Sequence, residues 1–214
     1  MTATGASPAG HRRRSVVLVT LAVGAASLAA LLRLEPGDDR FVAGAAWVAA
    51  VWGVGAVASG SVPLEDRRRA PRAVALGALV GVAAVAVCLA GGIALASVAP
   101  LREPARELLA HAAADSAPVV MLALANGVSE ELFFRGALFD AVPARVAVLL
   151  TTAVYALTTA GSGVVLLTLA AVLLGALTAV LRSRTGGVLA PAAAHLVWSV
   201  GMLLLLPSVL ATGR

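Results

Sequence analysis

The sequence contains no lysine, and charge of any kind is scarce. Only 13% of its 214 residues are charged, against 60% that are hydrophobic. A soluble domain of this size runs nearer a quarter charged, and the apolar excess lies in long uninterrupted runs. That excludes a soluble domain with a greasy core and indicates a polytopic membrane protein. Aromatic residues are also few, at 4%. The apolar content is mainly Ala, Val, Leu and Gly, a mix suited to helices that pack closely through small residues. The single cysteine, Cys88, excludes an internal disulfide and reads as a small packing residue. All 16 basic residues are arginine, which reflects the composition of a G+C-rich genome and says nothing about function. The net charge of +5 does not indicate nucleic acid, because the arginines cluster in short loops between apolar runs, where they orient helices.

What is present is a series of apolar segments, so the expected fold is all-α, with about seven transmembrane helices and one interfacial amphipathic helix. Residues 1–14 form a basic tail ending in "HRRR". The run Ser15 to Leu34 is long for a signal core and no small-x-small cleavage site precedes "RLEPGDDR", so it reads as a first span. Further spans are expected at Phe41 to about Leu64 and Ala73 to Ala99, completing three N-terminal helices within 15–100. The mixed-charge segment 101–116 reads as interfacial. A core of four helices, 117–211, follows: Ala117 to Val142, Val146 to Ala160, Val164 to Leu181, and Val188 to about Ala211. With seven spans, "HRRR", "EDRRR", Arg145 and "RSR" all fall on one side and the acidic turn at 35–39 on the other. The positive-inside rule makes the N-terminus cytoplasmic. Gly77-x-x-x-Gly81 is a candidate close-packing face.

The fourth span carries "SEELFFRGALFD" at 129–140. Each charge at mid-bilayer costs about 2.5–3.5 kcal/mol, so Glu130, Glu131 and Arg135 need partners or a water-filled cavity. Glu131 and Arg135 are four apart and share a helix face, which allows them to pair. Glu130 is turned about 100° away and needs a different partner. Of the three histidines, His195 alone is well inside a span. It lies roughly 12 Å from the "RSRTGG" end of its helix, and Glu130 lies roughly 15 Å from Asp140 at the corresponding end of its own. A carboxylate and an imidazole at matching depth on different helices suit water activation. They fall short of the three protein ligands usual for catalytic zinc.

These residues resemble a known family. "EELFFRG" is a Glu-Glu-x-x-x-Arg motif, "AVYALTTAGSG" is similar to an aromatic-x-x-x-His motif, and "LLGALTAVLRSRTGGVLAPAAAHLVWS" is similar to a stretch ending in His-x-x-x-Asn. In this order, with the "RTGG" turn between helices, they resemble the CPBP (or ABI) family of CAAX-protease and bacteriocin-processing intramembrane endopeptidases, over roughly Ala117 to Gly201. The resemblance implies Glu130 as general base on water, Glu131 and Arg135 as its support, and His195 as a site histidine. Two positions depart. Tyr155 fills the aromatic slot, but Thr159 stands where the histidine is expected and Ser199 where the asparagine is expected. Threonine cannot shuttle a proton near neutral pH, and serine has no amide to offer an oxyanion.

Three functions are therefore in view: an intramembrane endopeptidase, a catalytically silent relative that binds a peptide or protein partner, and an ion or solute transporter. No inverted repeat favours the last. The expected partners are a peptide or membrane-protein substrate and the lipid bilayer of a bacterial cell membrane, with no nucleic acid. Metal is open: the family's metalloprotease names imply a divalent ion such as zinc, while these residues suit a metal-free glutamate mechanism better.

Overall fold

The computed structural model describes residues 8–35, 38–60, 62–96 and 117–211. The interfacial segment expected at 101–116, which includes His111, lies outside the described residues. Within them the architecture is all-helical. The helices are α1 (Pro8–Leu31), α2 (Arg40–Ser59), α3 (Ala70–Ala96), α4 (Ala117–Glu131), α5 (Ala144–Ala160), α6 (Val165–Thr185) and α7 (Leu189–Ala211). Helix α4 continues without a break through a π-helical segment, Leu132–Leu138, into a last turn, Phe139–Ala141. Five of them (α1, α2, α3, α6 and α7) are long and apolar enough to cross a membrane. The α5 helix is apolar but shorter, at 17 residues. Large apolar side chains such as Leu79, Leu149 and Leu204 are exposed on the outside of the bundle, as a lipid-facing surface requires.

The chain's punctuation explains where the helices end. Val142, held extended by the proline after it, and Pro143 break α4 from α5. Gly186 adopts a left-handed conformation, φ 82°, at the end of α6 and returns its N–H to the Arg182 carbonyl. Proline within α7 is tolerated at Pro191, in the first turn, where an N–H has no intrahelical acceptor.

Packing follows the small residues. α1 lies on α2, α2 on α4, α4 on α7, and α5 on α6, while α3 runs along α7 for much of its length. Gly77 and Gly81 are the close-packing face: a methyl group on Gly77 would overlap the Ala190 carbonyl, and one on Gly81 would lie 2.6 Å from the Ala194 carbonyl oxygen. Trp198 donates its indole N–H to the Cys88 sulfur across the same interface, 3.4 Å away.

The arginine-rich segments gather at one end. Arg13 reaches Asp140 at the end of α4 (3.4 Å), Arg182 reaches the same carboxylate (2.8 Å), and Glu65 of the α2–α3 loop meets Thr185 at the end of α6. At the opposite end Arg33 donates to the Gly161 carbonyl.

Candidate active site

The site is built on α4 and its π-helical extension. Gly127, Glu131 and Arg135 follow one another at intervals of four, which places them on one face. The Glu131 carboxylate accepts from Arg135 at 3.2 Å, and both side chains are fully buried. Arg135 also donates to the Gly175 carbonyl of α6 at 3.0 Å. Two charges buried together must satisfy each other in this way, because an unpaired one would be far costlier. Glu131 Oε2 and Arg135 Nε are nonetheless buried without a protein hydrogen-bond partner, so the cluster keeps unused hydrogen-bonding capacity at its centre.

His195 comes to the same face from α7. Its Nδ1 lies 2.9 Å from Glu131 Oε1. A carboxylate beside a guanidinium accepts and does not donate, so this bond places a proton on Nδ1 and leaves Nε2, which lies by Gly127, as the ring's acceptor. Gly127 makes room for the ring: a methyl there would stand 3.1 Å from His195 Cδ2. The sequence suggests that His195 converges with Glu130, whereas the hydrogen bond goes to Glu131. The reason is rotational. The ring docks on the groove left by Gly127, and Glu131, not Glu130, shares that face.

Glu130, a residue earlier, faces α5. Its carboxylate accepts a hydrogen bond from the Tyr155 hydroxyl at 2.7 Å. It is half-buried, whereas Glu131 is closed off from solvent. The Tyr155 ring is fixed on all sides. The Arg135 guanidinium lies 4.7 Å above its centroid, Phe134 meets it edge-on at 5.0 Å, and Gly175 lies against its edge. Phe134 in turn packs with Phe133 and Trp52 of α2. Half of the chain's eight aromatic residues are thus spent on the wall behind these charges.

The two atypical positions are also buried. The Thr159 hydroxyl donates to the Tyr155 carbonyl of its own helix at 3.1 Å, a back-bond that occupies its proton. Ser199 is buried one turn beyond His195 on α7.

Two contributors were not singled out in the sequence. Glu65, within the run that reads as a solvated loop, is buried. It accepts the backbone N–H of Leu189 at 2.9 Å and of Ala190 at 3.1 Å, and the Thr185 hydroxyl at 2.9 Å. With Val188 N–H donating to the Pro63 carbonyl and Ala192 N–H to the Val188 carbonyl, the first turn of α7 is fully satisfied. Gly187 leaves space for this carboxylate, which a side chain would displace. Glu65 therefore fixes the start of the helix that carries His195. Arg182 is the second: its Nε donates to the Arg135 carbonyl at 2.8 Å, capping a backbone oxygen in the π-helical segment. A carboxylate followed by a helix N-terminus 124 residues later gives no local pattern to find.

Among the described residues no three His, Cys, Asp or Glu side chains group as ligands for a metal ion. Glu131 and His195 are directed at each other, so the donor set does not fit a divalent ion held by three protein ligands.

Residues 112–201 match the family model described as type II CAAX prenyl endopeptidase Rce1-like. The resemblance read from the motifs is therefore shown. The Rce1-like region contains Glu130, Glu131, Arg135, Tyr155, Thr159, His195 and Ser199, and over it the chain is like CAAX protease-type intramembrane peptidases in general. No curated protein and no solved structure matches the chain. Glu65 and Trp52 lie outside the Rce1-like region but pack against it.

Proposed function

We propose that the protein is an intramembrane endopeptidase that hydrolyses a peptide bond near the membrane surface with water activated by Glu130. The observation that carries this reading is the division between adjacent carboxylates. Glu131 is consumed by Arg135 and His195, while Glu130 is half-buried and bonded only to a neutral phenol in the described network. A general base needs such a carboxylate: held in place and not consumed in an ion pair of its own.

In the reaction, Glu130 takes a proton from water as the water oxygen bonds to the scissile carbonyl carbon. The carbonyl electrons move onto its oxygen. On collapse the C–N bond breaks and the proton passes from Glu130 to the leaving amine. Glu131 and Arg135 keep the rotation of α4 that aims Glu130 and orient the His195 ring. The arginine-rich end is the cytoplasmic end, with the N-terminus inside. The substrate is a peptide or membrane protein within a bacterial cell membrane.

The test compares membrane and secreted peptides from cells carrying wild-type protein, Glu130→Gln, or no protein. Products that require wild-type and vanish with Glu130→Gln are expected. Identical peptides from all three sink the reading.

One observation favours a second reading, a catalytically silent protein that binds a membrane peptide. The Thr159 hydroxyl is spent on its own helix, and no histidine stands there to help move protons. Under that reading Glu130→Gln leaves partner capture intact, and turnover by the wild type refutes it.

A further inference from the structure

We infer that Tyr155 is a catalytic residue of this site, its hydroxyl acting as the donor that receives the oxyanion. This rests on the endopeptidase reading and extends it to a residue whose role there would otherwise be apolar.

The inference starts from what each polar group near Glu130 is already doing. Thr159 donates to the Tyr155 carbonyl, and the Nδ1 edge of His195 is held by Glu131. Ser199 is on α7, beyond His195. The Tyr155 hydroxyl, in contrast, is one hydrogen bond from the carboxylate that would accept the water proton, at 2.7 Å. A water poised on Glu130 lies within reach of both the base and the phenol, and so does the carbonyl that the water attacks.

A phenolic O–H needs an acceptor, and in the resting site that acceptor is Glu130. Once Glu130 has taken the water proton it is neutral and a weaker acceptor. The negative charge has moved to the former carbonyl oxygen, next door. The phenol turns its hydrogen bond from the carboxyl to that oxygen, with no covalent bond made or broken at Tyr155. When the C–N bond breaks and Glu130 delivers its proton to the amine, the carboxylate is charged again and the phenol returns to it. The hydroxyl follows the negative charge through the cycle.

Useful oxyanion donors are held rigidly, so that little reorganises during reaction. The Tyr155 ring is held in this way, and only the hydroxyl hydrogen swings from one acceptor to the other. Arg135 covers one face at 4.7 Å, Phe134 meets it edge-on, and Gly175 closes against it, within 3.1 Å of where a methyl would be. The guanidinium on the ring face also draws electron density from the phenol and makes its O–H a better donor. A phenylalanine in this slot could pack identically and could not donate.

The chain holds a single tyrosine, which makes the test direct. Protein labelled with ¹³C at tyrosine Cζ gives one resonance in lipid nanodiscs, from Tyr155. Glu130→Gln should move that resonance, since an amide accepts more weakly than a carboxylate. A resonance that does not move removes the hydrogen bond on which the proposal stands. In the second arm, the product peptides found with wild-type protein are followed over time in membranes carrying Tyr155→Phe. Their initial rate should fall by about 10²–10³-fold, the usual effect of losing one oxyanion donor, while the thermal midpoint of the purified variant falls only by the loss of one hydrogen bond. Products formed equally by wild type and Tyr155→Phe overturn this proposal alone. No products from wild type overturn the endopeptidase reading, and with it this role.

Discussion

His195 Nδ1 and Glu131 Oε1 are 2.9 Å apart, and through this contact a helix near the end of the chain is joined to the charged centre of α4. The same carboxylate oxygen also accepts from Arg135. One oxygen atom thus ties an imidazole to a guanidinium in a fully buried setting.

That sharing predicts strong coupling between Glu131 and Arg135. Glu131→Gln or Arg135→Met alone leaves a buried charge without its partner and should cost about 3–5 kcal/mol. The double variant removes both charges and should be less destabilised than the two losses added together. Thermal unfolding of purified protein in detergent measures all three. Strictly additive losses would mean that the pair is not an interacting unit.

Thr159 predicts the opposite kind of result. Its hydroxyl donates only within its own helix, to the Tyr155 carbonyl, and that carbonyl belongs to a helical ladder already. Thr159→Val keeps the shape and loses the hydroxyl, so stability should change by about 1 kcal/mol or less. Product formation in membranes should match wild type. A large loss of cleavage with an unchanged melting temperature would assign this hydroxyl a chemical role that its hydrogen bond does not suggest.

Glu65 predicts a local effect at the start of α7. Glu65→Ala leaves the Leu189 and Ala190 N–H groups without their acceptor, at about 1–3 kcal/mol for each buried donor left unsatisfied. Glu65→Gln keeps one oxygen and should lose less. Amide hydrogen exchange at Leu189 and Ala190 should accelerate in the order wild type, Gln, Ala. Unchanged exchange in Glu65→Ala would show that these amides are held by something else.

Much of this structure is legible in the sequence, because in a membrane protein composition and periodicity carry most of the information. The apolar runs mark seven helices, and the gaps between the expected spans at Pro143 and at Gly161 to Gly163 are breaks that the backbone makes. The spacing of four between Glu131 and Arg135 gives their pairing, and Gly77 and Gly81 give the face on which α3 meets α7. What is not legible depends on which face of one helix meets which face of another. The partner of His195 is Glu131 because Gly127 opens a groove on that side of α4. The Tyr155 hydroxyl reaches Glu130 across 25 residues of chain, and no local rule links the two. Glu65 hides in a charged run whose ordinary meaning is a solvated loop, and its burial follows from the docking of that loop on the end of α6 and the start of α7.

The π-helical segment Leu132–Leu138 has a consequence best put in terms of counting. A π-helical stretch holds more residues per turn than an α-helix does, so the distance from Glu130 to Asp140 is ten residues but fewer turns than ten residues would ordinarily make. Asp140 is anchored at one end by Arg182 and Arg13. The two glutamates are therefore aimed by how tightly the residues between them and that anchor are wound. Rewinding this stretch as an α-helix with every residue kept would turn Glu130 and Glu131 by about 100° relative to Asp140, exchanging the neighbours that face α5 and α7. In this helix pitch is itself a setting: the looser coil takes up a residue that would otherwise swing the site away.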